Sequence, residues 1–197
     1  MKKFDKYGEI GESWYQYTVK LLESRGMTFE EIGKLVFILQ KDYIPELNQN
    51  MINHAISSVL HNREVQNYII MGLNQDILAE KNAFDQPYQE IMNNDEGPFG
   101  GDELLALGIC NVFGTIGFTN FGYIDKLKPG ILDWLNDRST GFINVFGDDI
   151  MGAIAAASAA KLAHEHPGKK SVYSHKIDEQ IIKELDQSKR KPYSKKD

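Results

Sequence analysis

The segment IMGAIAAASAA, residues 150–160, is built mostly from glycine, alanine and serine. Gly152, Ala156 and Ala160 recur every four residues, and Ala155 begins the same spacing on an adjacent face. Small side chains at this spacing let neighbouring helices approach closely. The segment therefore predicts a central helix that is packed on most of its sides.

The other periodic segments also show the three- and four-residue spacing of helices. Thr28 and Glu31 form a capping-box pattern before one apolar stripe, and Asn62 is a candidate N-cap before another. Four stripes contain Trp14, Tyr17, Leu21 and Leu22; Ile32, Leu35, Val36 and Leu39; Ile52, Ala55, Ile56, Val59 and Leu60; and Val65, Ile69, Leu73, Ile77 and Leu78. The alternation typical of a sheet protein is missing from the sequence. We predict an all-α fold, a single bundle of about six main helices in which the small-residue helix is central and the others surround it.

Residues 104–124 form an uncharged stretch of 21 residues, close to the roughly 20 that a membrane-spanning helix needs. Four glycines loosen a helix here, and Asp102 and Glu103 stand where a spanning helix usually carries positive charge. We interpret the stretch as a buried helix that breaks near residues 114–117 and returns.

The composition suggests where the chain divides. The loop at 93–101, NNDEGPFGG, contains three glycines and a proline. We interpret it as a connection within one helical domain, because about 100 residues on each side would make two thin cores. Residues 1–168 then form the helical domain, and residues 169–197 form a short amphipathic helix with a basic flexible tail.

Charge and cysteine content exclude several classes of protein. Residues 1–168 carry 13 Lys and Arg against 23 Asp and Glu, and residues 169–197 carry nine against five. An acidic body repels a nucleic-acid backbone, so we expect no nucleic-acid partner. One cysteine, Cys110, rules out a disulfide framework.

The two ends of the chain indicate where in the cell the protein is expected. Acidic residues near the start argue against a secretory signal, so we expect a cytoplasmic protein. The basic tail leaves two alternatives open, a solvated terminus or a peripheral contact with anionic lipid at the inner face of the membrane. The sequence also leaves open whether the protein is a monomer or a homo-oligomer.

Three acidic clusters border the two unusual runs: Asp102 with Glu103, Asp125 alone, and Asp148 with Asp149. Each acid is suited to cap a helix, but only one of an adjacent pair can be the N-cap. A reversal inside the uncharged stretch would bring the first two clusters to one end of the bundle, where the third can join them. Five carboxylates together resist joint ionisation. Mg²⁺ is the natural ion to neutralise such an all-oxygen site.

Two basic residues, Lys128 and Arg138, would supply positive charge near these carboxylates. A metal ion can polarise phosphoryl oxygens and activate a water, while lysine and arginine bind the remaining charge. The combination indicates chemistry on a phosphate ester, for which a phospholipid headgroup is one candidate carrier. The sequence contains no nucleophile-elbow, phosphate-loop or dinucleotide fingerprint.

Four motifs occur in a characteristic order: DELLA at 102–106, DKLKP at 125–129, WLNDR at 134–138 and DDIMGAIAA at 148–156. As an ordered set they resemble phosphatidylglycerophosphatase A, and the whole chain is similar to the soluble bacterial branch of that family. The resemblance implies a Mg²⁺-dependent phosphatase of lipid metabolism that converts phosphatidylglycerophosphate to phosphatidylglycerol. It also implies a bundle in which one central helix is surrounded by five others.

The resemblance marks individual residues of this chain. Combined with the charge argument, it assigns metal binding to Asp102, Glu103, Asp148 and Asp149, catalytic roles to Asp125, Lys128 and Asp149, and substrate binding to Lys128 and Arg138. It marks Asp137 less strongly. The alternative that remains open is a non-catalytic helical metal-binding or interaction protein that has lost phosphatase activity.

Overall fold

Side-chain caps begin three helices, and two of the capping residues, Thr28 and Asn62, are the ones expected from the sequence. Thr28 Oγ1 accepts a hydrogen bond from the Glu31 N–H at 3.3 Å, Asn48 caps the next helix, and Asn62 caps the one after it. The Glu31 side chain does not make the return hydrogen bond of a capping box. Its carboxylate lies 2.6 Å from Lys34 Nζ instead. Each cap satisfies amides that a helix start leaves free.

The computed structural model describes residues 9–95 and 100–166, with side chains from residue 13 onward. The helices are α1 (Glu9–Glu23), α2 (Phe29–Gln40), α3 (Gln49–Leu60), α4 (Arg63–Glu80), α5 (Tyr88–Asn94), α6 (Gly101–Val112), α7 (Thr115–Leu127), α8 (Ile131–Leu135) and α9 (Gly147–Glu165), with a 3-10 turn at Arg138–Thr140. The regular structure in these ranges is entirely helical, so the all-α prediction is confirmed.

Helix α9 is the centre of the bundle. Residues 147–160 of this helix are all buried, and it packs against α2, α3, α4, α6, α7 and α8. The Phe121 ring of α7 packs on Gly152, where a β-carbon would make ordinary van der Waals contact with it at 3.4 Å. The predicted central small-residue helix is confirmed. In the described ranges, seven helices have 12 or more residues, close to the expected six.

The uncharged stretch folds back on itself as expected. The chain reverses between α6 and α7 at Gly114, whose φ of 80° favours glycine. Each of the two helices buries only one face. Leu104 and Tyr123 are 66% and 56% exposed. The expectation of a buried helix is therefore met on one face of each helix and not on the other. Among the described helices, none combines the length and the apolar character needed to cross a membrane.

The predicted burial is wrong for two residues of the apolar stripes. Tyr17 of α1 and Leu78 of α4 are 47% and 40% exposed. In α4 the buried face continues from Leu73 to Asp76 and Ala79, because a helical step of three to four residues from Leu73 leads there and turns Leu78 outward.

Two glycines of α7 give opposite expectations for the same substitution. A β-carbon at Gly117 would lie 2.9 Å from the backbone oxygen of Cys110, whereas one at Gly122 would meet nothing within 4 Å. Gly117→Ala is expected to lower the free energy of unfolding by about 1–3 kcal/mol through overpacking. Gly122→Ala, the control, is expected to raise it by about 0.5–1 kcal/mol, because alanine favours the helix. Urea unfolding of both variants measures the difference, and equal stability would contradict the close approach of α6 and α7.

The amphipathic helix and basic tail predicted for residues 169–197 lie outside the described residues. The division at residue 168 therefore stays a prediction.

Candidate functional site

Lys128 follows the last turn of α7 and holds its backbone in the left-handed region, at φ 44° and ψ 51°. Its N–H donates to the Ile124 carbonyl at 2.7 Å, which closes the helix. A residue other than glycine or asparagine is unusual in this conformation. The turn sends the lysine side chain from the end of α7 toward the start of α9.

The ammonium group of Lys128 contacts three carboxylates. Nζ lies 2.7 Å from Asp125 Oδ1, 2.6 Å from Asp148 Oδ2 and 3.6 Å from Asp149 Oδ1. We call Asp125, Lys128, Asp148 and Asp149 the Lys128 cluster. The structure thus brings four of the sequence-predicted site residues together, although they come from two separate stretches of the chain.

The acid pair of the cluster occupies the first turn of α9 and is only 8% and 7% exposed at Asp148 and Asp149. Burial, and then the neighbouring Asp148, raise the pKa of Asp149 to about 8 against the opposing effect of Lys128. Burial also raises the pKa of Asp148, although Lys128 stabilises its charge. Burial alone would lower the pKa of Lys128, but the surrounding carboxylates outweigh it and raise that pKa. The cluster therefore holds more acid than one lysine can keep ionised.

Oxygen donors of this kind suit a hard divalent cation such as Mg²⁺. In the side-chain conformations of the described residues, no group of three or more His, Cys, Asp or Glu is arranged to hold a metal ion. The point where the three carboxylates converge is taken by the Lys128 ammonium. The donor set fits the ion by its chemistry, and binding would require Lys128 to move aside.

The remaining predicted site residues lie farther from the Lys128 cluster. Asp102 is near enough for its charge to contribute to the raised pKa of Asp149, and its Oδ1 accepts from the Glu103 N–H at 3.0 Å. Glu103 itself is exposed. Arg138 pairs with Asp95, with Nε 3.3 Å from Oδ2.

A cavity of about 150 Å³ lies beside Arg138. Its lining includes Asn93, Asp95, Asn136, Arg138, Phe142 and Asn144. Asn144 precedes the acid pair by only four residues, so the cavity reaches the chain segment that leads into α9. Apolar residues, among them Met92, Leu135 and Val145, share the lining with these polar side chains.

The sequence reasoning missed three charged residues that hold this segment. Asp76 is fully buried, and its Oδ1 accepts from the Phe146 N–H at 3.1 Å. Glu80 Oε1 accepts from the Ile143 N–H at 3.0 Å and lies 2.6 Å from Nη1 of Arg25. The pKa of Asp76 is well above its usual value because burial outweighs the backbone N–H groups that face it.

Arg25 completes the contacts to the same segment. Its Nη2 donates to the Ile143 carbonyl and, at 2.6 Å, to Asn144 Oδ1. The guanidinium also lies over the Phe142 ring, 5.1 Å from its centroid. The segment before α9 is therefore held by side chains from α4 and from the connection that follows α1.

The raised pKa of Asp149 gives a pH dependence of stability. Between the unfolded value of 3.8 and about 8 the folded state binds a proton that the unfolded chain has released. This contribution to stability is complete below the lower value and is lost as the pH rises through the upper one. In EDTA, the free energy of unfolding of Asp149→Asn relative to wild type is expected to increase from pH 5 to pH 9. A pH-independent difference between the two proteins would contradict the raised pKa.

Comparison with known proteins gives the family. The sequence profile of phosphatidylglycerophosphatase A matches residues 18–164. The chain belongs to the phosphatidylglycerophosphatase A family. Every residue of the Lys128 cluster, together with Arg25, Asp76 and Glu80, lies inside the matched range.

Relatives of this phosphatidylglycerophosphatase A family member include proteins without an assigned activity. It is 49% identical over 143 residues to YutG of Bacillus subtilis, which is described as an uncharacterized protein. The match covers 73% of this chain and 86% of YutG. A Bacillus stearothermophilus protein of unknown function has a solved structure with a TM-score of 0.75, at 52% identity over 77% of this chain and 94% of its own. The low temperature requirement C protein of Listeria monocytogenes also gives a TM-score of 0.75, at 46% identity over 78% and 96% of the two chains.

Proposed function

We propose that this protein is a Mg²⁺-dependent phosphatase that hydrolyses a phosphate monoester, either phosphatidylglycerophosphate to phosphatidylglycerol or a related ester of lipid metabolism. Family membership supports the reaction class. The single observation that carries the proposal is the Lys128 cluster, in which one ammonium group and three carboxylates from α7 and α9 meet at one point.

Each group has a role in this proposal. Asp148 and Asp149, with Asp102 and Glu103, would bind Mg²⁺, which polarises phosphoryl oxygens and lowers the pKa of a water. Lys128 would leave its carboxylates and pair with the phosphate, since its long side chain can reorient and it carries a full positive charge. Asp125, freed from Lys128, is our candidate to accept the proton of the attacking water.

Arg138 is the proposed second substrate-binding cation. It lines the cavity and pairs with Asp95, and we assign it contact with the alcohol portion of the ester or with a phosphate oxygen. A cavity of about 150 Å³ suits a glycerol-sized group, which would leave acyl chains outside the protein.

A second candidate is a non-catalytic member of the family. One observation favours it: Lys128 already satisfies the three carboxylates at 2.6–3.6 Å, so the cluster is complete without a ligand. In that case the ion pairs would simply join the end of α7 to the start of α9.

Phosphate release distinguishes the two candidates. Purified full-length protein is assayed on phosphatidylglycerophosphate in mixed micelles and on glycerol 3-phosphate, with Mg²⁺ and with EDTA. Release that requires Mg²⁺ supports the phosphatase. An absence of release from both esters, together with no heat of Mg²⁺ binding by calorimetry, favours the non-catalytic protein.

The proposed lipid substrate requires access to a membrane surface. We propose a cytoplasmic location with peripheral contact through the basic residues of 169–197, each of which adds about 1 kcal/mol near anionic lipid. Co-sedimentation with anionic vesicles tests this by comparing the full chain with one ending at Gln187. Equal pelleting would contradict a role for the last ten residues.

A further inference from the structure

We propose that Asp76 of α4 is a positioning residue for the acid pair Asp148 and Asp149, and that it acts by holding the first turn of α9 from a neighbouring helix. The inference rests on the proposed function for its consequence in catalysis. Its structural part can be measured without any substrate.

Helix α9 lacks a side-chain cap of its own. The residue at its N-cap position is Phe146, which makes no side-chain hydrogen bond to the helix start. The Phe146 N–H instead donates to Asp76 Oδ1 at 3.1 Å, across 70 residues of sequence. A carboxyl group at this end also faces the positive pole of the helix. Asp76 therefore supplies, from α4, an acceptor at a helix start that has no side-chain cap of its own, and we call this contact the cap from α4.

The contact belongs to a face of α4 that runs along the segment before α9. Gly72, Asp76 and Glu80 are spaced by four residues and so lie on one side of the helix. A β-carbon at Gly72 would overlap the Ile150 side chain and lie 3.2 Å from Phe146 Cβ. Glu80 holds the Ile143 N–H at 3.0 Å. Contacts from three successive turns of α4 thus fix residues 143–150.

The position of Asp76 in the core is costly for a residue that only starts a helix. It is 0% exposed, and among the described residues its Oδ2 has no hydrogen-bond partner. A buried polar atom left unpaired carries a free-energy cost. A serine or aspartate at residue 146 would cap α9 without this cost. The cap from α4 does what a local cap cannot, because it fixes where the acid pair lies relative to a second helix.

Asp76→Ala and Asp76→Asn separate positioning from other roles. The asparagine keeps an oxygen that can accept from the Phe146 N–H, and the alanine does not. Asp42→Asn, at an exposed site between α2 and α3, is the matched control. Hydrogen exchange of residues 143–150, and kcat and KM for Mg²⁺-dependent phosphate release, are measured for all three variants.

In Asp76→Ala we expect faster exchange of 143–150 with α3 still protected, and a kcat at least tenfold below wild type at nearly unchanged KM. Asp76→Asn should restore exchange to the wild-type rate and kcat to within about threefold. If the asparagine variant loses kcat as fully as the alanine variant, the charge matters and positioning is wrong. Unchanged exchange in Asp76→Ala would also overturn the proposal. Should Asp76→Ala not fold, the kcat of Asp76→Asn decides alone.

Failure of the proposed function has a different signature. Wild-type protein would then release no phosphate, while the exchange difference between Asp76→Ala and Asp76→Asn would remain.

Discussion

Asp149→Asn is expected to lower kcat for Mg²⁺-dependent phosphate release by about 10²–10⁴-fold, the range typical of a group that moves or holds a proton or ion at a reacting centre. The side chain is 7% exposed, lies 3.6 Å from Lys128 Nζ and begins the central helix. Asparagine keeps its shape but removes the negative charge that would bind the metal ion.

The loss can be separated from unfolding. Burial and Asp148 both disfavour a charge on Asp149, so the neutral asparagine should leave the free energy of unfolding at pH 7 equal to or above that of wild type. Asp133→Asn, at an exposed aspartate in the first turn of α8, is the matched control and should keep wild-type kcat. An Asp149→Asn enzyme as active as wild type would remove Asp149 from the site.

Arg25→Ala should destabilise the protein by about 1–3 kcal/mol, the cost of leaving buried hydrogen-bonding groups unsatisfied, since the Glu80 carboxylate that loses its partner is itself 26% exposed. The Arg25 side chain is 3% exposed and lies 2.6 Å from Glu80. Its removal also leaves the Ile143 carbonyl and Asn144 Oδ1 without their donor. Urea unfolding followed by circular dichroism measures the change.

Lysine provides the comparison at the same position. Arg25→Lys keeps the charge for Glu80 but cannot donate to Glu80, Ile143 and Asn144 from one planar group. It should therefore fall between wild type and Arg25→Ala in stability. A change below about 1 kcal/mol in Arg25→Ala would mean that the segment before α9 is held by other contacts.

The sequence was sufficient to predict the bundle because its signals are local and consistent. The caps at Thr28 and Asn62 and the small residues of 150–160 are each signals of their own helix. The errors at Tyr17 and Leu78 have a common reason. Hydrophobicity alone does not say which edge of an apolar stripe a neighbouring helix will cover.

The candidate site was only partly predictable. The reversal at Gly114, which the sequence suggests, turns Asp125 back toward the end of the bundle where α6 begins, and the packing of α7 against α9 brings it to Asp148 and Asp149. Asp76 carries a usable signal, since it continues the stripe through Ile69 and Leu73 by a helical step. Arg25 carries none, because its partners are backbone and side-chain atoms more than 50 residues away. Arg138 could be marked by resemblance, but its pairing with Asp95 depends on how the loops pack.

The enclosure of α9 limits how the length of this chain can vary. Each added residue would turn the rest of the helix by about 100°. An insertion between Asp149 and Ala160 would direct the large side chains at 150, 151 and 154 against different neighbours, and no solvent-facing side is present there to absorb the rotation. Gains and losses of residues among relatives should therefore fall in the connections between helices, and the distance along the chain from the acid pair to the end of the small-residue run should stay constant.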